Sequence, residues 1–361
     1  MAGIYLHIPF CRSRCIYCGF YSTTGLELRQ RYVDALCHEW QLRHAELKES
    51  LDTLYLGGGT PSLLTPTQLQ QIFAALPPAA TEVTIECNPD DVSSAYAAVL
   101  QQLPVNRVSM GAQTFNDQRL HFLHRRHTSS QVPQAVKALR DAGIGNISID
   151  LMYGFPDETM DDWRQDIEAA LDLDVEHISA YCLMVEEGTP LYQQMRHACD
   201  EETERQMYEL LMDKLTEAGY EHYEISNFAR PGFRSRHNSS YWQGIPYIGL
   251  GAAAHSFDRH GRQWNVSDIR QYIEAIEHDQ IPCEREILDD DTRYNDCVTV
   301  ALRTSEGLDL TTLSERHRHH CMKEAQRFLG DGLLRLADQH LVLTRKGLFV
   351  SDMVMSALML V

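Results

Sequence analysis

Cys11, Cys15 and Cys18 lie in Tyr5-Leu-His-Ile-Pro-Phe-Cys11-Arg-Ser-Arg-Cys15-Ile-Tyr-Cys18-Gly-Phe20, a C-x3-C-x2-C loop directly after an apolar, strand-like run. That spacing points to an iron-sulfur cluster. Three thiolates can hold three irons of a [4Fe-4S] cube, and the fourth iron, with no protein sulfur, stays open to a small molecule. A structural zinc is the competing reading, and it requires a fourth Cys or His close by. The nearest candidate, His7, falls inside the alternating stretch before the loop.

Other residues of chemical character stand at the ends of apolar runs. Gly57, Gly58 and Gly59, followed by Thr60, let bare backbone approach a ligand, although a tight turn explains a triple glycine equally well. Glu86, Gln113, Arg125 and Asp150 each read, taken alone, as a rim ion pair or polar end-residue. Tyr5 suits either a ligand contact or simple packing in the first strand. His237-Asn238-Ser-Ser-Tyr241-Trp242 joins an imidazole, a common axial ligand of heme iron, to two rings that can flank a flat macrocycle. Taken alone, a His among aromatics is more often a satisfied structural residue. His255, in Gly249-Leu-Gly-Ala-Ala-Ala-His255, is a second candidate, and the His317, His319, His320 group is expected on a solvated helix face.

Tyr55-Leu-Gly57-Gly58-Gly59-Thr60-Pro61, Ile85-Glu86-Cys-Asn-Pro89, Arg107-Val-Ser-Met-Gly111-Ala-Gln113-Thr-Phe115, Leu123-His-Arg125 and Ile149-Asp150-Leu-Met-Tyr-Gly154-Phe-Pro156 follow the cysteine loop in that order. The chain thereby resembles the radical S-adenosylmethionine (SAM) family, in its coproporphyrinogen III oxidase-like branch, over most of its length. The resemblance implies that the amino and carboxylate groups of SAM chelate the open iron, and that Tyr5, Gly57, Gly58, Gly59, Thr60, Glu86, Gln113, Arg125 and Asp150 form the SAM pocket. Charge logic agrees: SAM needs acids near its ammonium and ribose, an arginine near its carboxylate, and amides for neutral hydrogen bonds.

Within the branch, the His237 string is similar to that of heme chaperones and implies heme held by His237, Asn238, Tyr241 and Trp242. The alternative is an oxygen-independent coproporphyrinogen III dehydrogenase, in which SAM cleavage starts oxidative decarboxylation of propionates. That branch carries a fourth cysteine two residues after the third, where this chain has Phe20, and a longer amino-terminal extension, where this chain has ten residues before Cys11. The expected protein is a heme chaperone holding cluster, SAM and heme, with a heme-acceptor protein and an electron-donor protein as partners. A homodimer is compatible with this reading.

These residues must be positioned by a strand-helix alternation. Apolar runs at 3–8, 53–56, 83–86, 107–113, 147–153 and 177–183 alternate with helical patterns at 28–47, 67–76, 94–103, 131–142 and 160–171. Such repetition favours a parallel sheet, and six units are too few for a closed eight-stranded barrel. The fold class expected is α/β, a partial (β/α)6 radical SAM barrel over 1–220. An irregular, aromatic and Gly-rich site-forming segment follows over 221–285, then a small C-terminal α+β winged-helix-like domain over 286–361. Each quoted strand-end motif should fall at the carboxyl ends of the strands, where active residues gather in such folds.

Composition narrows the class. The chain has 361 residues, 43% of them hydrophobic, and a formal net charge of -19. That charge argues against a general binder of nucleic acid or anionic membrane, and the winged-helix-like end reads as a cap or protein-contact module. No run of about 18 apolar residues could span a bilayer. The sequence enters its first motif without a leader, and seven of the ten cysteines are scattered singly, as in a reduced compartment; a cytoplasmic location is expected.

Overall fold

The computed structural model describes residues 2–195 and 197–360. Its six leading apolar runs form β1 (Ala2–Ile8), β2 (Leu51–Gly58), β3 (Glu82–Cys87), β4 (Arg107–Gln113), β5 (Asn146–Tyr153) and β6 (His177–Cys182). Each pairs in parallel with the next, in sequence order. Helices Arg29–Arg43, Pro66–Ala75, Ser94–Gln101, Gln131–Asp141 and Met160–Asp172 return the chain between them. Their starts are set locally: Thr65 with Gln68, and Thr159 with Asp162, form reciprocal capping boxes that satisfy the first helical amides. β1 and β6 do not pair with each other, so this is an open partial (β/α)6 barrel.

Alternation along each strand separates two faces. Ile4, Leu6 and Ile8 of β1 and Leu54 and Leu56 of β2 are buried in the main core, with Tyr32 and Leu36 of the first helix. The other face carries Tyr5, His7, Thr53, Tyr55, Glu86, Arg107, Asp150 and His177. Strands of a parallel sheet are usually apolar on both faces. A polar inner face therefore marks a surface kept for something other than packing.

The segment 221–285, expected to be irregular, is instead ordered and extends the sheet at both edges. β7 (Glu221–Glu224) and β8 (Asn227–Ala229) continue beyond β6 antiparallel, while β9 (Tyr247–Leu250) pairs in parallel with β1. β10 (His255–Phe257), β11 (Gly261–Asn265) and β12 (Cys283–Ile287) follow antiparallel, giving twelve strands. Strands of three to five residues are too short for an alternating pattern to stand out from the turns between them.

The C-terminal part has its own core around Val298, Leu308, Phe328, Leu341 and Val354. Helices Asp290–Ala301 and Glu315–Gly330 stand with β13 (Leu308–Asp309), β14 (Leu334–Ala337) and β15 (His340–Leu343), an antiparallel sheet that gives the winged-helix-like arrangement. His317 is not on a solvated face: it is buried, bonds Asp291 at 2.8 Å and stacks on Tyr294. Buried Glu224 receives Arg303 at 2.7 Å, joining this part to the edge of the barrel sheet.

One buried acid fixes the first helix against the added strands. Glu39 accepts from Arg43 (2.9 Å), the Gly251 amide (2.8 Å), Asn265 (2.7 Å) and Tyr272 (2.6 Å), while Arg43 also donates to the Gly249 carbonyl. Removing Glu39 leaves Arg43 with Glu46 but takes the acceptor from the buried Gly251, Asn265 and Tyr272 donors. Glu39→Ala is expected to cost about 3–5 kcal/mol of stability in denaturant unfolding. Glu277→Ala, which breaks an exposed pair with Arg31, should leave the midpoint nearly unchanged.

Candidate functional site

The cysteine loop leaves β1 and is tied back beside it, with the Thr23 amide donating to the Pro9 carbonyl (2.7 Å) and the Cys11 amide to the Thr23 carbonyl (2.9 Å). Its centre is pinned by Ile16, buried against Leu123, Met152, Phe155, Leu183 and Leu191. Ile16 also exchanges backbone hydrogen bonds with Leu123 and Leu191. The three cysteines around this anchor are half-buried at the carboxyl end of the barrel.

Thr60 donates to the Cys11 sulfur and Arg125 to the Cys15 sulfur, each at 3.6 Å. Burial pushes the Cys11 and Cys18 thiols up, so as bare thiols they favour the protonated state. Binding iron would supply the compensating charge. Sulfurs bound to three different irons need not converge on one point, and among the described residues no three His, Cys, Asp or Glu side chains do so. His7 does not complete a zinc site: Nε2 bonds the Tyr21 carbonyl (2.9 Å) and Nδ1 the Tyr5 hydroxyl (3.1 Å).

The other strand-end residues gather beside this loop. Gly58 has φ +110°, which a side chain rarely tolerates, and its amide donates to Glu86 at 3.0 Å. Tyr55 donates to the other Glu86 oxygen at 2.8 Å. Arg125 reaches the Asn88 side chain (2.8 Å) and the Gly111 carbonyl (2.6 Å) as well as Cys15. A Cβ on Gly111 would stand 2.8 Å from the Gln113 amide and 2.9 Å from the Arg125 guanidinium, so glycine lets both lie on the strand. Gln113 itself is left-handed, φ 68°, where the β4–β5 register shifts.

Burial raises the Glu86 carboxyl to about 7 against the pull of its Tyr55 and Gly58 bonds. It raises Asp150 to about 6, opposed by Ser179, Arg107 and Arg125. Both acids can change charge near neutrality on binding a cation. Sequence reasoning assigned no role to Asn88, which holds Arg125, or to Arg107. The latter is buried in the floor with Nε and one terminal nitrogen unpartnered among the described residues. A charged residue opening a buried strand was the available signal for Arg107.

The His237 string lies elsewhere. Its helix, Arg236–Trp242, sits at the amino ends of the strands, with the Arg236 and His237 amides donating to Glu82 at the start of β3. His237 is buried and both ring nitrogens are occupied, Nδ1 by Thr53 and Nε2 by Tyr241, each at 2.8 Å. Tyr241 packs edge-on to Tyr247, and Trp242 lies under Arg303 of the C-terminal part. Asn238 is half-buried on the same helix. In this conformation both nitrogens of the expected axial ligand are therefore occupied by hydroxyls, and the string packs the barrel base. His237→Ala leaves the buried Thr53 hydroxyl and the half-buried Tyr241 hydroxyl without this partner, and is expected to cost roughly 2–4 kcal/mol in thermal or denaturant unfolding.

Fold and cysteine loop together define a radical SAM protein. Residues 5–170 match the family described as Radical SAM superfamily, and residues 288–350 the HemN C-terminal domain. The heme chaperone HemW of Lactococcus lactis subsp. lactis (strain IL1403) is 34% identical over 349 residues, covering 94% of this chain and 90% of that protein. The heme chaperone HemW of Bacillus subtilis (strain 168) is 33% identical over 375 residues, covering 99% of each. The chain belongs to the HemW family. Among solved structures, coproporphyrinogen III oxidase (HemN) from Escherichia coli superposes with a TM-score of 0.87 at 21% identity, covering 99% of this chain and 89% of that one, a likeness of fold. No helix among the described residues is long and apolar enough to cross a membrane.

Proposed function

We propose that the protein is a heme chaperone that holds a [4Fe-4S] cluster on Cys11, Cys15 and Cys18, binds SAM beside it, and passes heme to an acceptor protein in the cytoplasm. The observation that carries this reading is full-length similarity to proteins named heme chaperone, in a chain with three cysteines in its loop and Phe20 in place of a fourth. When bound, the cluster would supply a reducible centre with one iron open to the amino and carboxylate groups of SAM.

The chain's own residues suit that partner. Glu86 would accept a hydrogen bond from the iron-bound amino group and Asp150 one from a ribose hydroxyl. Arg125, already against Cys15, offsets the negative charge of thiolates and carboxylate. Tyr5, Gly57, Gly58, Gly59, Thr60 and Gln113 complete the wall around them. Reduction of the cluster calls for an electron-donor protein. Phe20, Tyr181 and Met184 are exposed around the same end, 72%, 44% and 66% accessible, and offer apolar surface to an apolar cargo or its acceptor.

The reading is tested by anaerobic reconstitution followed by parallel assays. Wild-type protein should hold about four irons per chain and bind heme stoichiometrically, yet leave coproporphyrinogen III unconverted with SAM and reductant. Cys15→Ala should lose the cluster, whereas Cys37→Ala should keep it. Robust formation of protoporphyrinogen IX would instead support the dehydrogenase reading.

SAM affinity should also depend on pH. Burial pushes the Glu86 carboxyl up to about 7, so lowering the pH protonates both this acceptor and the amino group that must reach iron unprotonated. Affinity measured by titration is expected to fall between about pH 8 and pH 6, by at least about tenfold per unit at the acid end, as binding linked to proton loss requires. Glu86→Gln should bind more weakly and flatten the profile. A wild-type affinity that does not change over this range would remove Glu86 from the pocket.

A further inference from the structure

Arg107 opens β4 on the inner face, and its guanidinium is not tied into the fold. The residue is 1% exposed, yet Nε and one terminal nitrogen have no partner among the described residues. Arg43, the other arginine buried to that degree among them, holds both Glu39 and Glu46. A buried cation without partners is costly, and apolar replacement of buried charge is often neutral or stabilising. Its presence therefore calls for a role other than stability.

Strand pairing sets what this charge faces. Thr84 and Asn146 flank Arg107 on β3 and β5; Glu86 stands one inner-face step further along β3, and Asp150 two steps along β5. A step is about 6–7 Å, so a long side chain rising from the floor points its charge toward both acids. It bonds neither: the Glu86 oxygens are held by Tyr55 and the Gly58 amide, and Asp150 accepts from Ser179. The other titratable neighbours are neutral. Burial raises Tyr5, Tyr55 and Tyr241 around Glu86, and Tyr17 and Tyr181 around Asp150. It also raises Tyr223 and lowers His177 and His237 beside the guanidinium. Glu82, at the start of β3, is occupied by the Arg236 and His237 amides. Arg125 bears on Asp150, whereas Arg107 bears on both acids.

We propose that Arg107 is a positioning residue for SAM, whose unpaired charge in the barrel floor keeps Glu86 and Asp150 ionised and so able to accept hydrogen bonds from the amino group and the ribose. The proposal rests on the SAM pocket of the reading above and adds to it a residue that touches no ligand. Burial pushes Glu86 up to about 7 and Asp150 to about 6, and Arg107 pulls each the other way. Without that pull both carboxyls rise further, and a protonated Glu86 offers a hydroxyl where an acceptor is needed. A guanidinium bonded to either acid would hold it ionised equally well but would take lone pairs that SAM must use. Acting across a gap leaves them free.

The test is SAM affinity as a function of pH, measured by anaerobic titration of full-length, cluster-loaded protein. Arg107→Met should keep its cluster iron and its unfolding midpoint, because no partner is left stranded. Its affinity should approach wild type at about pH 9 and fall roughly tenfold below it by about pH 6, as a one-unit rise in the pKa of a linked acid requires. Arg107→Gln, polar but uncharged, should behave in the same way and replaces the methionine variant if that does not fold. Arg107→Lys, which keeps the charge, should follow the wild-type curve. An equal gap at both ends of the range, or no gap at the acid end, overturns the assignment while leaving the pocket standing. Failure of both uncharged variants to fold overturns it too, since the charge then serves the fold. Wild-type protein whose cluster spectrum does not respond to SAM overturns pocket and assignment together.

Discussion

The Arg125 guanidinium is the interaction on which the site depends. It donates to the Cys15 sulfur, the Asn88 side chain and the Gly111 carbonyl, and so fastens the cysteine loop to the carboxyl ends of β3 and β4. Burial drives the Cys11 and Cys18 thiols toward the protonated state. The Arg125 charge pulls the Cys11 thiol the other way, in a protein of net charge -19. Gly111 and the left-handed Gln113 follow from the same requirement, because a regular strand with a side chain at 111 would displace the guanidinium.

Around this cation the barrel is polar inside and apolar outside. The outer alternation supplies the core through Ile4, Leu6 and Ile8, leaving the inner one to carry Tyr5, Tyr55, Glu86, Arg107 and Asp150. Two acids with raised pKa values and an arginine with unpartnered donors are costly without a ligand. A surface of this kind is kept for function. The aromatic string at the base has another role: His237, Tyr241 and Tyr247 couple β2, the short helix and β9, and Trp242 carries the contact on to Arg303.

Much of this was legible in the sequence because its signals are local. A C-x3-C-x2-C spacing needs no tertiary knowledge, and β1 through β6 announce themselves as apolar runs separated by capped helices. What escaped was the consequence of long-range pairing. β9 joins β1 across more than two hundred residues, so nothing near Tyr247 indicates that it becomes a parallel neighbour of Gly3. For the same reason the surroundings of His237 are not legible locally: the string's resemblance implies a ligand, while its burial and its bond to Thr53 depend on how the chain returns beneath β2. His317 was misread similarly, since its partner Asp291 is on another helix.

Three cysteines at the mouth would leave one iron of the cluster open, facing the SAM pocket. Electron-nuclear double resonance on the reduced, reconstituted protein with SAM labelled at its amino nitrogen reads that contact. A coupling between the label and the cluster is expected, lost in Cys15→Ala together with the cluster and weakened in Asp150→Ala. A fully loaded cluster showing no such coupling at saturating SAM would contradict it.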